Sequence, residues 1–348
     1  MDTTAHPAAL PADDTQILLG DEAVARGAID AGITAAYAYP GTPSTEIFQT
    51  IQDQARALGL PVRGLWSTNE KVALEEGIGV SYAGCRAIVS MKHVGLNVAA
   101  DPFMNLAVSG THGGLVVVVA DDPGMHSSQN EQDSRYFADF AMVPCLEPAD
   151  QQQCYDFTRA AFDLSEQLQT PVLLRLVTRL AHSRAAVQAG PRRAPNVPAW
   201  VPDQERFTLI PVNARRAHAA LVDKQAALQD WSTHHAGNQL RISGPGRPGI
   251  VVSGIAWNYL VEALGDGLDG FNLLRIGTYP LPVAHLRSLL DASPTITVVE
   301  EGYPFIERQL GALGLLRERR ILGKLTGDLP RTGELGPDAI RRCFGLPV

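Results

Sequence analysis

Four short segments combine residue types that could hold or activate a small anionic ligand. The first is Tyr39-Pro40-Gly41-Thr42-Pro43-Ser44-Thr45-Glu46, where a strand is expected to hand over to a helix. Thr42 reads as an N-cap with Pro43 at the first helical position, and a helix N-terminus offers free N–H groups to an anion. The second, Trp66-Ser67-Thr68-Asn69-Glu70-Lys71, puts a carboxylate in the first turn of a helix capped by Ser67 or Thr68. There Glu70 either complements the helix dipole or hydrogen-bonds a ligand. The third, Met91-Lys92-His93-Val94-Gly95-Leu96-Asn97, sets Lys and His side by side after an apolar strand. The fourth, Asp121 to Glu131, is too polar and too long for a tight turn. Taken singly, each has a plain structural explanation: a strand-to-helix turn, a helix start, a solvated rim, an exposed loop.

The elements around them put all four at one place. From Gly20 to about His182 the pattern alternates helix and strand: helix Asp21–Ala31, strand Ala35–Tyr39, a helix from Pro43, strand Leu60–Leu65 and helix Glu70–Ala83 closed by Gly84. Strand Arg86–Met91, helix Asn97–Val108 with Pro102 inside it, the apolar run Leu115–Ala120, helix Asp150–Leu168 and strand Pro171–Val177 follow. Such alternation with short connections implies a parallel sheet covered on both faces. The four segments then fall at its carboxyl edge, where parallel sheets bind ligands.

A Pro-, Ala- and Arg-rich stretch from Ser183 to Gly249 reads as a connector with one helix over Val212–Trp231. A smaller alternation follows, with strands at Gly249–Ser253, Asn272–Ile276 and Thr295–Glu300 and helices at Trp257–Leu264, Val283–Leu290 and Pro304–Leu313. The divisions expected are a flexible lead-in over 1–17, a first α/β domain over 18–184, a connector over 185–248, a second α/β domain over 249–330 and a tail over 331–348.

Composition narrows the classes. The chain has 348 residues, 45% of them apolar, and a net charge of −8 with acids and bases mixed. It lacks the basic face that nucleic acid needs, and no apolar run approaches the ~20 residues of a membrane span. Met1 to Thr15 has neither a basic start nor an apolar core, which argues against a secretory signal and for a cytoplasmic protein. Cys85, Cys145, Cys154 and Cys343 form no C-x-x-C pair, so no zinc or iron–sulfur site is expected on this chain.

Read together, Tyr39-Pro-Gly-Thr-Pro-Ser, Asn69-Glu-Lys-Val-Ala, Ser81-Tyr-Ala-Gly, Met91-Lys-His-Val-Gly-Leu-Asn-Val-Ala-Ala-Asp-Pro and the string from Ala120 to Arg135 resemble one family. They are similar to the N-terminal part of the indolepyruvate ferredoxin oxidoreductase alpha subunit, in the pyruvate:ferredoxin oxidoreductase superfamily. The resemblance runs from about Leu18 to Arg184 and resumes at Ser253-Gly-Ile-Ala-Trp-Asn-Tyr, Tyr279-Pro-Leu-Pro and Val299-Glu-Glu-Gly-Tyr-Pro-Phe-Ile-Glu.

The resemblance implies an α/β fold: a thiamine pyrimidine-binding domain, then a smaller domain like the transketolase C-terminal domain. It implies that Glu70 accepts a hydrogen bond from N1′ of the thiamine aminopyrimidine, promoting deprotonation of the thiazolium. It places Thr42 and His93 toward substrate, and Gly41, Lys92 and Asn97 with Glu70 around the cofactor. Gly265-Asp266-Gly267 lacks the Asn residues that would make it a metal–diphosphate motif and reads as a plain turn. Thiamine diphosphate would therefore be shared with a partner subunit carrying the diphosphate-binding domain, Mg2+ and Fe–S clusters, unless the chain is a truncated form. A gamma/beta-type oxidoreductase subunit, coenzyme A as co-substrate and homodimerisation within a hetero-oligomer complete what the family implies. The activity implied is oxidative decarboxylation of an aryl pyruvate such as indolepyruvate to its acyl-CoA. Two alternatives stand beside it: a subunit of a split non-oxidative 2-oxoacid decarboxylase, and a non-catalytic assembly subunit.

Overall fold

A computed structural model describes residues 15–200, 203–315 and 319–348. Its larger sheet has seven strands in the order Thr278–Tyr279, Cys145–Leu146, Val172–Val177, Leu115–Asp121, Ala87–Lys92, Ala35–Ala38 and Arg63–Trp66. All neighbours are parallel except the first pair. Leu115–Asp121 is buried along its whole length, as a central parallel strand covered on both faces must be. Its side chains serve two cores alternately: Val116 and Val118 pack with Ile47, Phe48 and Phe162, while Leu115, Val117 and Val119 pack with Leu74, Phe103 and Leu106.

Helices Gly20–Asp30, Thr45–Ala57 and Gln151–Leu168 supply the first of those faces, and Glu70–Tyr82 and Ala100–Ser109 the second. Where one helix was expected over Asn97–Val108 there are two, His93–Val98 and Ala100–Ser109, divided at Ala99. Pro102 lies in the first turn of the second, where its missing N–H is no loss, so it kinks nothing. The connector is more structured than its composition suggests. It contains strand Arg184–Gln188, paired antiparallel with Thr15–Leu19, and the long helix Pro211–His234.

The smaller sheet orders Arg320–Leu322, Thr295–Val299, Gly249–Ser253, Asn272–Ile276 and Gln239–Arg241, with only the last pair antiparallel. The two outer strands add to the three read from the sequence. The sheets are joined where Thr278–Tyr279 leaves the smaller unit and pairs with Cys145–Leu146 of the larger. Asn238 fixes that junction: its amide nitrogen donates to the Thr278 carbonyl at 3.1 Å, and its carbonyl accepts from the Gly277 and Thr278 amides at 2.8 and 3.0 Å. Gly265–Gly270 is a 3-10 turn between helix Ala256–Leu264 and strand Asn272–Ile276, as a plain turn requires.

Candidate functional site

The turn after strand Ala35–Ala38 is built on a cis Thr42–Pro43 peptide. The helix beyond it begins at Thr45 with Ser44 as its cap, so Thr42 does not cap it, contrary to the sequence reading. Gly41 N–H donates to Thr45 Oγ1 at 3.0 Å, and Ser44 Oγ donates to the Gly41 carbonyl at 2.9 Å. Thr42 is left exposed at the rim. A β-carbon on Gly41 would lie 3.2 Å from Lys92 Cβ, so this turn sits against the end of the neighbouring strand.

Glu70 opens the helix after strand Arg63–Trp66. The cap is Asn69, whose Oδ1 accepts from Val72 N–H at 2.9 Å. Ser67 instead donates to Glu76 at 2.5 Å. The Glu70 carboxylate is half-buried and receives no hydrogen bond from the described residues. It lies directly against Gly95, where a β-carbon would fall 2.6 Å from both its Cγ and its Oε1.

Lys92 and His93 are both buried. Lys92 Nζ donates to the Ser127 carbonyl at 2.7 Å, and His93 Nε2 is 3.1 Å from the Asn130 carbonyl. A carbonyl only accepts, so Nε2 carries a proton, while Nδ1 is buried with no hydrogen-bond partner among the described residues. Ser127 Oγ reaches back to the Thr42 carbonyl at 3.3 Å. The Gly41–Thr42 turn, the Lys92–His93 corner and the 121–131 loop are thus one hydrogen-bonded unit, with Glu70 joined through Gly95. Asn97 is exposed, with no side-chain hydrogen bond to the described residues.

A family profile described as pyruvate flavodoxin/ferredoxin oxidoreductase, thiamine-diphosphate-binding, matches residues 26–241. The chain belongs to this family. It is similar to indolepyruvate oxidoreductase subunit IorA of Methanothermobacter thermautotrophicus, 42% identical over 95% of this chain and 54% of that protein. The same-named subunit of Archaeoglobus fulgidus is 40% identical over 91% of this chain and 51% of its own length. The chain therefore spans about half the length of these curated relatives. Among solved structures it resembles 2-oxoglutarate:ferredoxin oxidoreductase from Magnetococcus marinus at a TM-score of 0.75 and 18% identity, over 94% of this chain and 64% of that one. A split-gene transketolase matches at 0.54 and 14%, over 88% of each chain. Both likenesses concern the fold. No described helix is long and apolar enough to cross a membrane.

The residues present fit the pyrimidine end of the family's cofactor. A carboxylate with spare acceptor capacity stands at the carboxyl edge, backed by a glycine that lets it lie close. Gly41 is half-buried with Pro40 and Thr42 exposed on either side, so the backbone there is approachable.

Asp122, which the sequence reading did not single out, organises the loop above. It accepts from Ser128 Oγ at 2.5 Å, Ser127 N–H at 2.8 Å, His126 N–H at 3.2 Å and Thr178 Oγ1 at 2.7 Å. Burial pushes its pKa up, but those donors overcome burial and hold it at about 2. Its signal in sequence was an Asp followed by Pro-Gly and then two serines, a side chain able to cap its own loop.

Behind the loop lies a buried ion set that spans both sheets. Arg175 donates to Asp121 Oδ2 at 2.7 Å, Glu147 Oε1 at 2.5 Å and the Glu301 carbonyl at 3.2 Å. Arg135 chelates Asp133 at 2.9 and 2.5 Å, lies 2.9 Å from Glu300 and donates to the Glu301 and Tyr303 carbonyls at 3.1 Å. Tyr279 donates to Glu147 at 2.5 Å. Burial opposes ionisation of Asp133, yet the two guanidiniums keep its pKa at about 2, whereas burial pushes Glu300 up to about 7 against the pull of Arg135. These residues come from distant parts of the chain with no common spacing, so only the fold reveals the set.

Proposed function

We propose that this chain is the cofactor-orienting half of a thiamine-diphosphate-dependent 2-oxoacid:ferredoxin oxidoreductase acting on an aryl pyruvate such as indolepyruvate. Residues 18–184 form the pyrimidine-binding domain and 249–330 the transketolase-C-terminal-like domain. Three supports converge: family membership, the indolepyruvate naming of relatives that share this chain's half, and the placement of Glu70. The last carries the proposal, because a half-buried carboxylate with no donor among the described residues, at a sheet's carboxyl edge, is poised to accept from a ligand.

When bound, thiamine diphosphate supplies the carbon nucleophile that attacks the 2-oxo carbon. The chain's own residues orient it. Glu70 accepts the proton-bearing N1′ edge of the pyrimidine and tunes its basicity. Gly95 fixes where that carboxylate stands. Gly41 allows close backbone approach, with Thr42 on the substrate side and Asn97 at the exposed rim. Lys92 and His93 act by holding the 121–131 loop across the site. A partner subunit provides the diphosphate site with Mg2+ and the Fe–S clusters, and coenzyme A receives the acyl group.

The test is calorimetric titration of thiamine diphosphate with Mg2+ into this chain alone and into its complex with the partner. Binding in the complex only, with the Glu70→Gln complex still binding but about 10²–10⁴-fold slower in turnover, supports the proposal. Tight binding by the chain alone, or full activity in Glu70→Gln, overturns it.

A further inference from the structure

Asp21 stands in the first turn of helix Gly20–Asp30, wholly buried, and neither carboxylate oxygen has a hydrogen-bond partner. An ionised carboxylate in that state is strongly disfavoured unless something positive meets it. The charges that act on it, Glu46 and Glu22, are both negative. Glu22 is already occupied in accepting from Leu19 N–H at 2.7 Å.

Two further side chains converge on Asp21. Glu46 comes from the first turn of helix Thr45–Ala57, and its Oε2 is buried without a hydrogen-bond partner. His182 closes the short helix Thr178–His182, with Nε2 3.5 Å from that same oxygen. One ligand atom from each of Asp21, Glu46 and His182 lies within 4.8 Å of the others. Ligands at roughly 2.0–2.2 Å from a common ion stand roughly 3–4.4 Å apart, so a small side-chain closure brings all three into coordination.

We propose that Asp21, Glu46 and His182 form a binding site for a divalent first-row transition-metal ion, Zn2+ foremost. The donor set decides the class. Two carboxylate oxygens and an imidazole nitrogen suit zinc and its neighbours, whereas magnesium and calcium favour oxygen alone. Sequence spacing gave no hint of it, because the three ligands stand 25 and 136 positions apart along the chain.

The site would act as a clamp behind the functional edge. Glu46 follows Thr45, which accepts from Gly41 N–H, and the helix ending at His182 begins with Thr178, which donates to Asp122. One ion would therefore tie the start of the first helix to the two segments that hold the Gly41 turn and the 121–131 loop.

The experiment strips the purified full chain with chelator and titrates Zn2+, then Mn2+, by calorimetry without thiamine diphosphate, with thermal melting read in parallel. One ion per chain with a raised melting temperature is expected. Asp21→Asn, Glu46→Gln and His182→Gln should each weaken binding at least about tenfold. Asp21→Asn keeps the side-chain shape and removes an uncompensated buried charge, so the variant should fold. No uptake by the wild-type chain, or uptake that all three variants retain, overturns the proposal. Wild type that takes up no ion while Asp21→Asn melts higher would assign Asp21 as a buried neutral acid instead.

Discussion

The Glu70 carboxylate rests on the α-carbon of Gly95, with 2.6 Å between its Oε1 and the point a β-carbon would occupy. The side chain proposed to meet the cofactor is therefore positioned by the absence of another. Gly95→Ala should push Glu70 aside and lower turnover of the assembled enzyme about 10²-fold, as a displacement near 1 Å can. Gly79, in the same helix as Glu70, is the control: a β-carbon there meets nothing within 4 Å. Gly79→Ala should leave turnover unchanged and stabilise the chain by about 0.5–1 kcal/mol. Equal turnover for the two variants would refute the positioning role.

Asp122 makes a prediction with a sign. Its folded pKa of about 2 lies below the ordinary 3.8, so it stabilises the fold above that ordinary value and loses the contribution as pH falls toward about 2. Asp122→Ala should strand the donors of Ser127, Ser128, His126 and Thr178, costing about 2–4 kcal/mol at neutral pH. The difference from wild type in denaturant unfolding should shrink between about pH 4 and pH 2. Limited proteolysis should then cut within 122–131 in the variant first. A difference that held constant across that range would remove Asp122 as the loop's anchor.

Much of this arrangement was legible in the sequence, and the exceptions have physical causes. The unbroken apolar run at Leu115 had to be a strand buried on both faces, and the α/β alternation placed the chemistry at one edge. The cap of the Glu70 helix was misread because Ser67, Thr68 and Asn69 are all capping types. Three-dimensional context chose Asn69 by giving Ser67 another partner, Glu76. The strand at Thr278–Tyr279 was invisible, since two residues carry no periodicity. Its pairing depends on Asn238, forty positions earlier. Position alone left Lys92 and His93 open to a plain solvated rim, and only the family resemblance set them toward cofactor and substrate. Their nearest partners are loop carbonyls that no spacing rule connects to them.

Glu300 titrates with the opposite sign to Asp122. Burial raises its folded pKa from 4.5 to about 7, so the protonated form is the one the folded state favours. Its contribution is complete below about pH 4.5 and is lost as pH rises through about 7. Glu300→Gln cannot titrate. Wild-type stability relative to this variant should therefore decline between about pH 5 and pH 8 in urea unfolding. Parallel stability curves would show that Glu300 keeps an ordinary carboxyl in the fold.

Arg175 links the smaller unit to a strand of the larger sheet. It rises from strand Val172–Val177, meets Asp121 at the end of the neighbouring strand and Glu147 beyond, and donates to the Glu301 carbonyl of the smaller unit. All three side chains are buried. Arg175→Met fills similar space but leaves two buried carboxylates short of a cation, at a cost of about 3–5 kcal/mol. Adding Glu147→Gln should recover part of that loss by removing one stranded charge, so the two changes should be strongly non-additive. The link to Glu301 adds a second readout. With Arg175 gone, denaturant unfolding followed by Trp66, in the larger sheet, and by Trp257, in the smaller unit, should no longer share one midpoint. Coincident transitions and additive costs would mean that the backbone junction at Thr278 and the Arg135 contacts hold the sheets together without Arg175.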